Sequence, residues 1–154
     1  MSRRSRVRQV VLQLLYQDDL NPGDAGQWRQ FLNQRLLGKQ DLIHLGERWF
    51  LGVRQHRGAI DEKIVATARN WKLNRMPPLD RNIVRLAAYE FLFGDTPYQV
   101  AINEAVELAK RFGTKDSPRF VNGVLDRIRE DNSNPNARPH LSESTNTDVA
   151  AKQP

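Results

Sequence analysis

Between Pro97 and Ile128 the chain reads P-Y-Q-V-A-I-N-E-A-V-E-L-A-K-R-F-G-T-K-D-S-P-R-F-V-N-G-V-L-D-R-I, and few folds accept such a stretch. Ile102, Ala105, Val106, Ala109 and Phe112 recur at steps of three and four residues, the spacing that places side chains on one face of an α-helix. Gly113 follows at once, where a chain leaving a helix is expected to need a positive φ. Ser117 is suited to cap the next helix and Pro118 to open it, because the first helical position needs no N–H. Val121, Val124, Leu125 and Ile128 then form a second apolar face, with Arg119 and Phe120 left beside the turn. The stretch predicts a helical hairpin with a basic, aromatic-bearing elbow.

The rest of the chain follows the same period. Val7, Val10, Val11, Leu14 and Leu15 predict a first helix over residues 3–19. A loop at Asn21-Pro22-Gly23-Asp24 leads to a second helix, with Trp28, Phe31, Leu32 and Leu36 ahead of Gly38. A long helix is expected from Asp41 to Trp71, with Leu42, Leu45, Trp49, Val53, Ile60, Ile64 and Ala68 inward. Gly46, Gly52 and Gly58 cost this helix up to roughly 1 kcal/mol each relative to alanine, so they are expected to permit close crossings or a bend. Met76-Pro77-Pro78 ends it, and Pro78 opens another helix with Ile83, Leu86, Ala87 and Phe91 as core and Tyr89 on a second packing face. No alternating strand pattern occurs. The expected fold class is all-α, with about six or seven helices in two abutting helical subdomains. Residues 1–131 are expected to form the domain and 132–154, poor in apolar residues, a disordered tail.

Charge and chemistry narrow the function. The formal charge is +6, and the tail holds two bases (Arg138, Lys152) and two acids (Glu143, Asp148), so residues 1–131 carry the excess. A basic body attracts polyanions. There is no cysteine, hence no disulfide, thiolate metal site or cysteine nucleophile. No apolar run approaches the roughly 18–20 residues of a membrane span. Gln9, Gln13 and Gln17 interrupt any signal-peptide core behind the basic N-terminus; a cytoplasmic protein is expected. His44, His56 and His140 lack metal-ligand spacing, no phosphate-cradling glycine loop occurs, and Glu104 and Glu107 read as solvated partners of Lys110 and Arg111. No enzyme, cofactor or metal is expected. Asn103 and Asn122 interrupt apolar stripes, where an amide must be bonded, and capping a neighbouring helix or loop accounts for them.

The first helix carries the most suggestive surface. Residues 1–16 contain Arg3, Arg4, Arg6 and Arg8 and no acid, while Arg6, Gln9, Gln13 and Tyr16 line the side opposite the apolar stripe. Two readings fit: a solvated face with one stray tyrosine, or a ligand face. On the second, guanidinium groups pair with phosphates, amides read base edges and the tyrosine stacks on an unpaired base.

Several blocks together resemble one known family. A-I-N-E-A-V-E-L-A-K around Asn103-Glu104-Ala105 and F-V-N-G-V-L-D from Phe120 to Asp126 are similar to the signature blocks of the NusB transcription antitermination factors. The similarity extends to Arg6-Val7-Arg8, Leu14-Leu15-Tyr16 and L-D-R-N-I-V-R-L-A-A-Y-E at Leu79–Glu90, so it covers roughly residues 3–130. The resemblance implies an all-helical RNA-binding fold of two subdomains. It implies binding of single-stranded boxA RNA from nascent ribosomal-operon transcripts together with NusE, a small-subunit ribosomal protein, in an antitermination complex on RNA polymerase. By the same resemblance Arg6, Arg8 and Tyr16 match RNA-contacting positions, as do Asp116, Arg119 and Phe120 at the elbow, and Asp80 and Arg81 match a NusE-contacting region. A protein-interaction module whose basic face meets an acidic partner is the competing expectation. The appended RNA-binding domain of a methyltransferase is disfavoured, because nothing after Asp131 could form a methyl-donor site.

Overall fold

The computed structural model describes residues 2–22, 27–67 and 72–133. Its elements are α1 (Arg3–Leu20), α2 (Trp28–Arg35), α3 (Gln40–Thr67), a short 3-10 helix (Leu73–Arg75), α4 (Pro78–Leu92), α5 (Tyr98–Phe112) and α6 (Ser117–Ser133). The described residues contain no strand. The all-α expectation therefore holds. The last helix runs to Ser133, past the expected domain end at 131, while Ala68–Trp71 and the tail from 134 lie outside the described residues.

Helices α1–α3 and α4–α6 form two groups that share one continuous core. Helix α4 joins them: every residue from Asn82 to Glu90 is buried, so this helix has no solvent face in its middle. It crosses α3 at Gly52, where a Cβ would stand 2.3 Å from Tyr89 Cζ and 2.4 Å from its Oη. Gly46 likewise admits Leu32, whose Cδ2 would meet a Cβ at 2.9 Å, whereas Gly58 faces open space. Two of the three glycines thus serve close packing. A positive φ occurs at Leu37 and Gly38, where the chain leaves α2.

Buried ion pairs bind the groups together. Asp19 at the end of α1 accepts from Arg81 Nε (2.6 Å), Asn82 Nδ2 (2.9 Å) and Arg85 Nη1 (3.0 Å) of α4, and from Arg57 of α3 at 3.0 Å. Arg85 also forks onto Asp61 at 2.8 and 3.0 Å. Burial pushes the Asp19 carboxyl up, but the Arg81 and Asn82 hydrogen bonds and the charges of Arg85 and Arg81 outweigh it and hold the pKa at about 2. An unfolded chain takes up this proton near the ordinary value of 3.8, before the folded one does. The stabilisation is therefore complete above about pH 4 and is lost as pH falls toward 2, on the order of 2 kcal/mol from this group. Asp19→Asn should flatten that acid limb in urea melts recorded across the range, at the cost of a lower plateau near neutrality.

Candidate nucleic-acid interface

Helix α1 is capped by Ser2, whose hydroxyl accepts the Ser5 N–H at 3.0 Å, so the arginine-rich segment is helical from its start. Arg4, Arg6, Gln13 and Tyr16 are exposed and Gln9 is partly so. Arg6, Gln9, Gln13 and Tyr16 thus form a polar outer stripe, while Val7, Val10, Val11, Leu12, Leu14 and Leu15 are buried. Arg3 is also exposed and reaches Asp41 at 2.8 Å, an ion pair open to water on both sides and hence easily exchanged. Arg4 and Arg6 form no ion pair among the described residues.

Arg8 is placed differently from the other three. It is 3% exposed, and its guanidinium reaches Glu90 at 2.6 to 3.1 Å, Glu104 at 3.0 Å and the face of Trp49 at 4.9 Å. Helical geometry explains this, since position 8 lies beside Val7 and Val11 on the inward side. An arginine so enclosed is not presented to a phosphate; it ties α1 to α3, α4 and α5. Glu104 also departs from expectation. Rather than facing water, it accepts from Arg8 and from the Ser5 hydroxyl, anchoring α5 against α1. Glu107 does face water, 3.5 Å from Lys110.

The anchoring creates a groove of about 360 Å³ between the two helices, lined by Ser5, Arg8 and Gln9 on one side and Glu104, Glu107, Leu108, Lys110 and Arg111 on the other. The elbow follows directly. Asp116 and Arg119 are exposed, and Phe120 is partly buried and packed against the core. Gly113 is not in the left-handed region: its φ is −92° and its ψ −167°. Glycine is needed there for space, because a Cβ would stand 2.5 Å from Ser117 Oγ and 2.6 Å from Ser117 Cβ. The Ser117 hydroxyl turns back to accept the Thr114 N–H at 2.9 Å, and the Asp116 carbonyl takes the first helical bond, from Phe120 N–H. Ser117 therefore closes the elbow instead of capping its own helix.

Asp80 lies beneath this elbow, 5% exposed. Burial pushes its carboxyl up while a hydrogen bond from Ser117 lowers it. Arg81 is held on Asp19 and donates toward the Leu73 and Met76 carbonyls. Both of these expected partner-contacting residues are thus largely enclosed. Asn103 and Asn122, by contrast, are exposed: Asn103 accepts from Gln99 at 3.3 Å and Asn122 donates to Asp126 at 3.3 Å, so neither caps a helix or loop. Sequence periodicity missed one residue in particular. Phe112 falls in register with the α5 core face yet is 45% exposed, at the last position of the helix where the face loses its cover.

Among the described residues no group of three or more His, Asp and Glu side chains could hold a metal ion, and no helix is long and apolar enough to cross a membrane.

Comparison with known proteins agrees with this architecture. The model of the NusB family matches residues 5–130. A transcription antitermination protein NusB from Trichlorobacter lovleyi is 44% identical over 136 residues, covering 83% of this chain and 91% of that protein. The one from Geobacter sulfurreducens is 41% identical over 130 residues, covering 83% and 94%. Among solved structures, T. maritima NusB superposes with a TM-score of 0.75 at 37% identity, over 84% of this chain and 92% of that one. A structure of the antitermination factors NusB and NusE in complex with dsRNA shares the fold, with a TM-score of 0.75 at 23% identity, over 84% and 98%.

Proposed function

The chain belongs to the NusB family, and on that footing we propose that it is a transcription antitermination adaptor, a cytoplasmic RNA-binding protein rather than an enzyme. Its ligand is the single-stranded boxA element of nascent ribosomal-operon transcripts, bound jointly with NusE, and the complex suppresses premature termination by RNA polymerase. The observation that carries this reading is the outer stripe of α1. Arg6 is followed there by the amides of Gln9 and Gln13 and by the exposed Tyr16, beside a groove whose far wall ends in Lys110 and Arg111. Arg4, which like Arg6 has no ion pair among the described residues, stands at the start of the helix. Such a surface supplies phosphate contacts along the helix and a stacking ring for a splayed base. The related proteins are named for antitermination, and one solved structure of the same fold is of NusB and NusE in complex with dsRNA.

The contact surface comprises Arg3, Arg4, Arg6, Gln9 and Tyr16 on α1 with Asp116 and Arg119 at the elbow, and Phe120 supports that elbow from below. Arg8 contributes by fixing the direction of α1. Asp80 and Arg81 act on NusE only indirectly, by holding the elbow and the end of α1 in place.

Fluorescence anisotropy with a short boxA-type RNA and a scrambled control, with and without NusE, tests the reading. The boxA-type RNA should bind preferentially, and affinity should fall steeply with salt. The Arg4→Ala/Arg6→Ala variant should bind more weakly and lower the salt slope by about 1.4, roughly 0.7 for each single-strand phosphate contact removed. Equal binding of both RNAs, alongside tight association with NusE, would instead identify a protein-interaction module.

A further inference from the structure

We propose that Arg48 and the His56–Phe93 ring pair, where α3 meets the end of α4, hold nucleotides that flank the boxA-type element. This inference rests on the RNA-binding reading of α1 and adds to it a second surface, reached around the N-terminal end of that helix.

Arg4 marks the passage between the two surfaces. At about 100° per residue it lies about 200° around α1 from Arg6, so it points away from the outer stripe. It lines a cavity of about 420 Å³ whose polar side is completed by Arg3, Asp41, His44 and Arg48. Asp41 is taken up by Arg3 at 2.8 Å. His44 and Arg48 are exposed, and neither Arg4 nor Arg48 forms an ion pair among the described residues. The recess is therefore cationic, with its one acid already engaged.

From Arg48 the face continues along α3 in steps of four residues. Gly52 comes next and gives its space to the Tyr89 ring of α4. Burial pushes the Tyr89 phenol up and the nearby Arg48 charge works against it. His56 follows, with its ring 6.1 Å from that of Tyr89 and stacked on Phe93 at 4.1 Å, 9° between the planes. Phe93 is nevertheless 39% exposed. Asp95, in the turn before α5, borders the face with the opposite charge. From His44 to His56 the surface extends about 18 Å along the helix.

The chemistry selects the ligand. Leu51 and Phe93 are too little apolar surface for the contiguous patch that marks protein docking. A ring held in place by a stacked imidazole, next to a guanidinium recess, is the combination that binds single strands: cations track the phosphates and an aromatic face receives a base. Neither group reads a base edge at this surface. It therefore accepts flanks of any sequence, and sequence preference stays with the amides and arginines of α1.

The test uses the full chain and compares a boxA-type RNA core with the same core extended at one end or the other by about six uridines, within the span such surfaces cover. A 2-aminopurine is placed within the added segment. The wild type should bind one of the extended RNAs about 5- to 150-fold more tightly than the core, the range of one stacked base, and should quench the probe. Phe93→Ala, confirmed folded by its thermal melt, should lose the gain and the quench while binding the core as the wild type does. Arg48→Gln should also keep the core affinity, and should lower the salt slope for the extended RNA by about 0.7, one single-strand phosphate contact. Extended RNAs that bind no more tightly than the core, or variants that weaken core and extended RNAs alike, would overturn this inference alone. So would loss of NusE binding in both variants with the RNA gain intact, which would make the face a protein contact. Failure of the wild type to bind the core would overturn the functional reading and this inference together.

Discussion

Replacing Glu90 with alanine is expected to lower stability by about 3–5 kcal/mol, the cost of leaving a buried charge without its partner. Glu90 is 1% exposed and accepts three hydrogen bonds from Arg8 and a fourth, at 2.9 Å, from the Thr96 hydroxyl. Arg8, itself 3% exposed, would retain only Glu104 and the Trp49 ring. Urea denaturation should report the loss as a lower midpoint at unchanged slope. The Arg8→Met/Glu90→Met pair should recover much of it, because an apolar replacement of both partners leaves no stranded charge. A drop below about 1 kcal/mol for the single variant would show that water or Glu104 takes over the guanidinium, and the network would lose its assigned role. The functional consequence lies on α1. Once Arg8 is released, the outer stripe no longer has a fixed direction relative to the α5 groove, and RNA affinity should fall with stability.

The second large effect concerns Gly52. A Cβ there would overlap the Tyr89 ring at 2.3 to 2.4 Å, and Tyr89 is only 7% exposed on the fully enclosed stretch of α4. A phenol ring is rigid and cannot shift by parts, so Gly52→Val should destabilise by about 3 kcal/mol, at the upper end of overpacking costs. Gly58→Ala is the matched control on the same helix. Its Cβ meets open space, so relief of the glycine penalty should stabilise by up to about 1 kcal/mol. Thermal melts of the two variants should therefore move in opposite directions. A stabilised Gly52→Val would mean that α3 and α4 can separate at their crossing without penalty.

Much of the architecture was legible because helix signals are local. Apolar residues at three- and four-residue steps, Pro78 at a helix start and the breaks at Gly38 and Gly113 located the helices to within a few residues. The NusB-like blocks were legible for a similar reason: contiguous strings need no third dimension to be recognised. The site was only partly legible. Periodicity sorted α1 correctly into an inner and an outer face, yet Arg8 looked equivalent to Arg6 as a charge in a basic run. Its partners, Glu90 and Glu104, are 82 and 96 residues away in the chain. Asp19 was passed over altogether, although four side chains converge on it from two other helices.

The elbow shows the same division at closer range. From the sequence alone came the hairpin, its two apolar faces, the glycine at the exit of one helix and the basic and aromatic residues around it. The tertiary structure decided what each residue does there. Gly113 makes room for Ser117, Ser117 closes the turn over the buried Asp80, Phe120 packs inward and Phe112 stands out. A helical period specifies which residues share a face, but not where a neighbouring element stops covering it. That boundary depends on contacts between segments distant in sequence, and it separates a core phenylalanine from an exposed one.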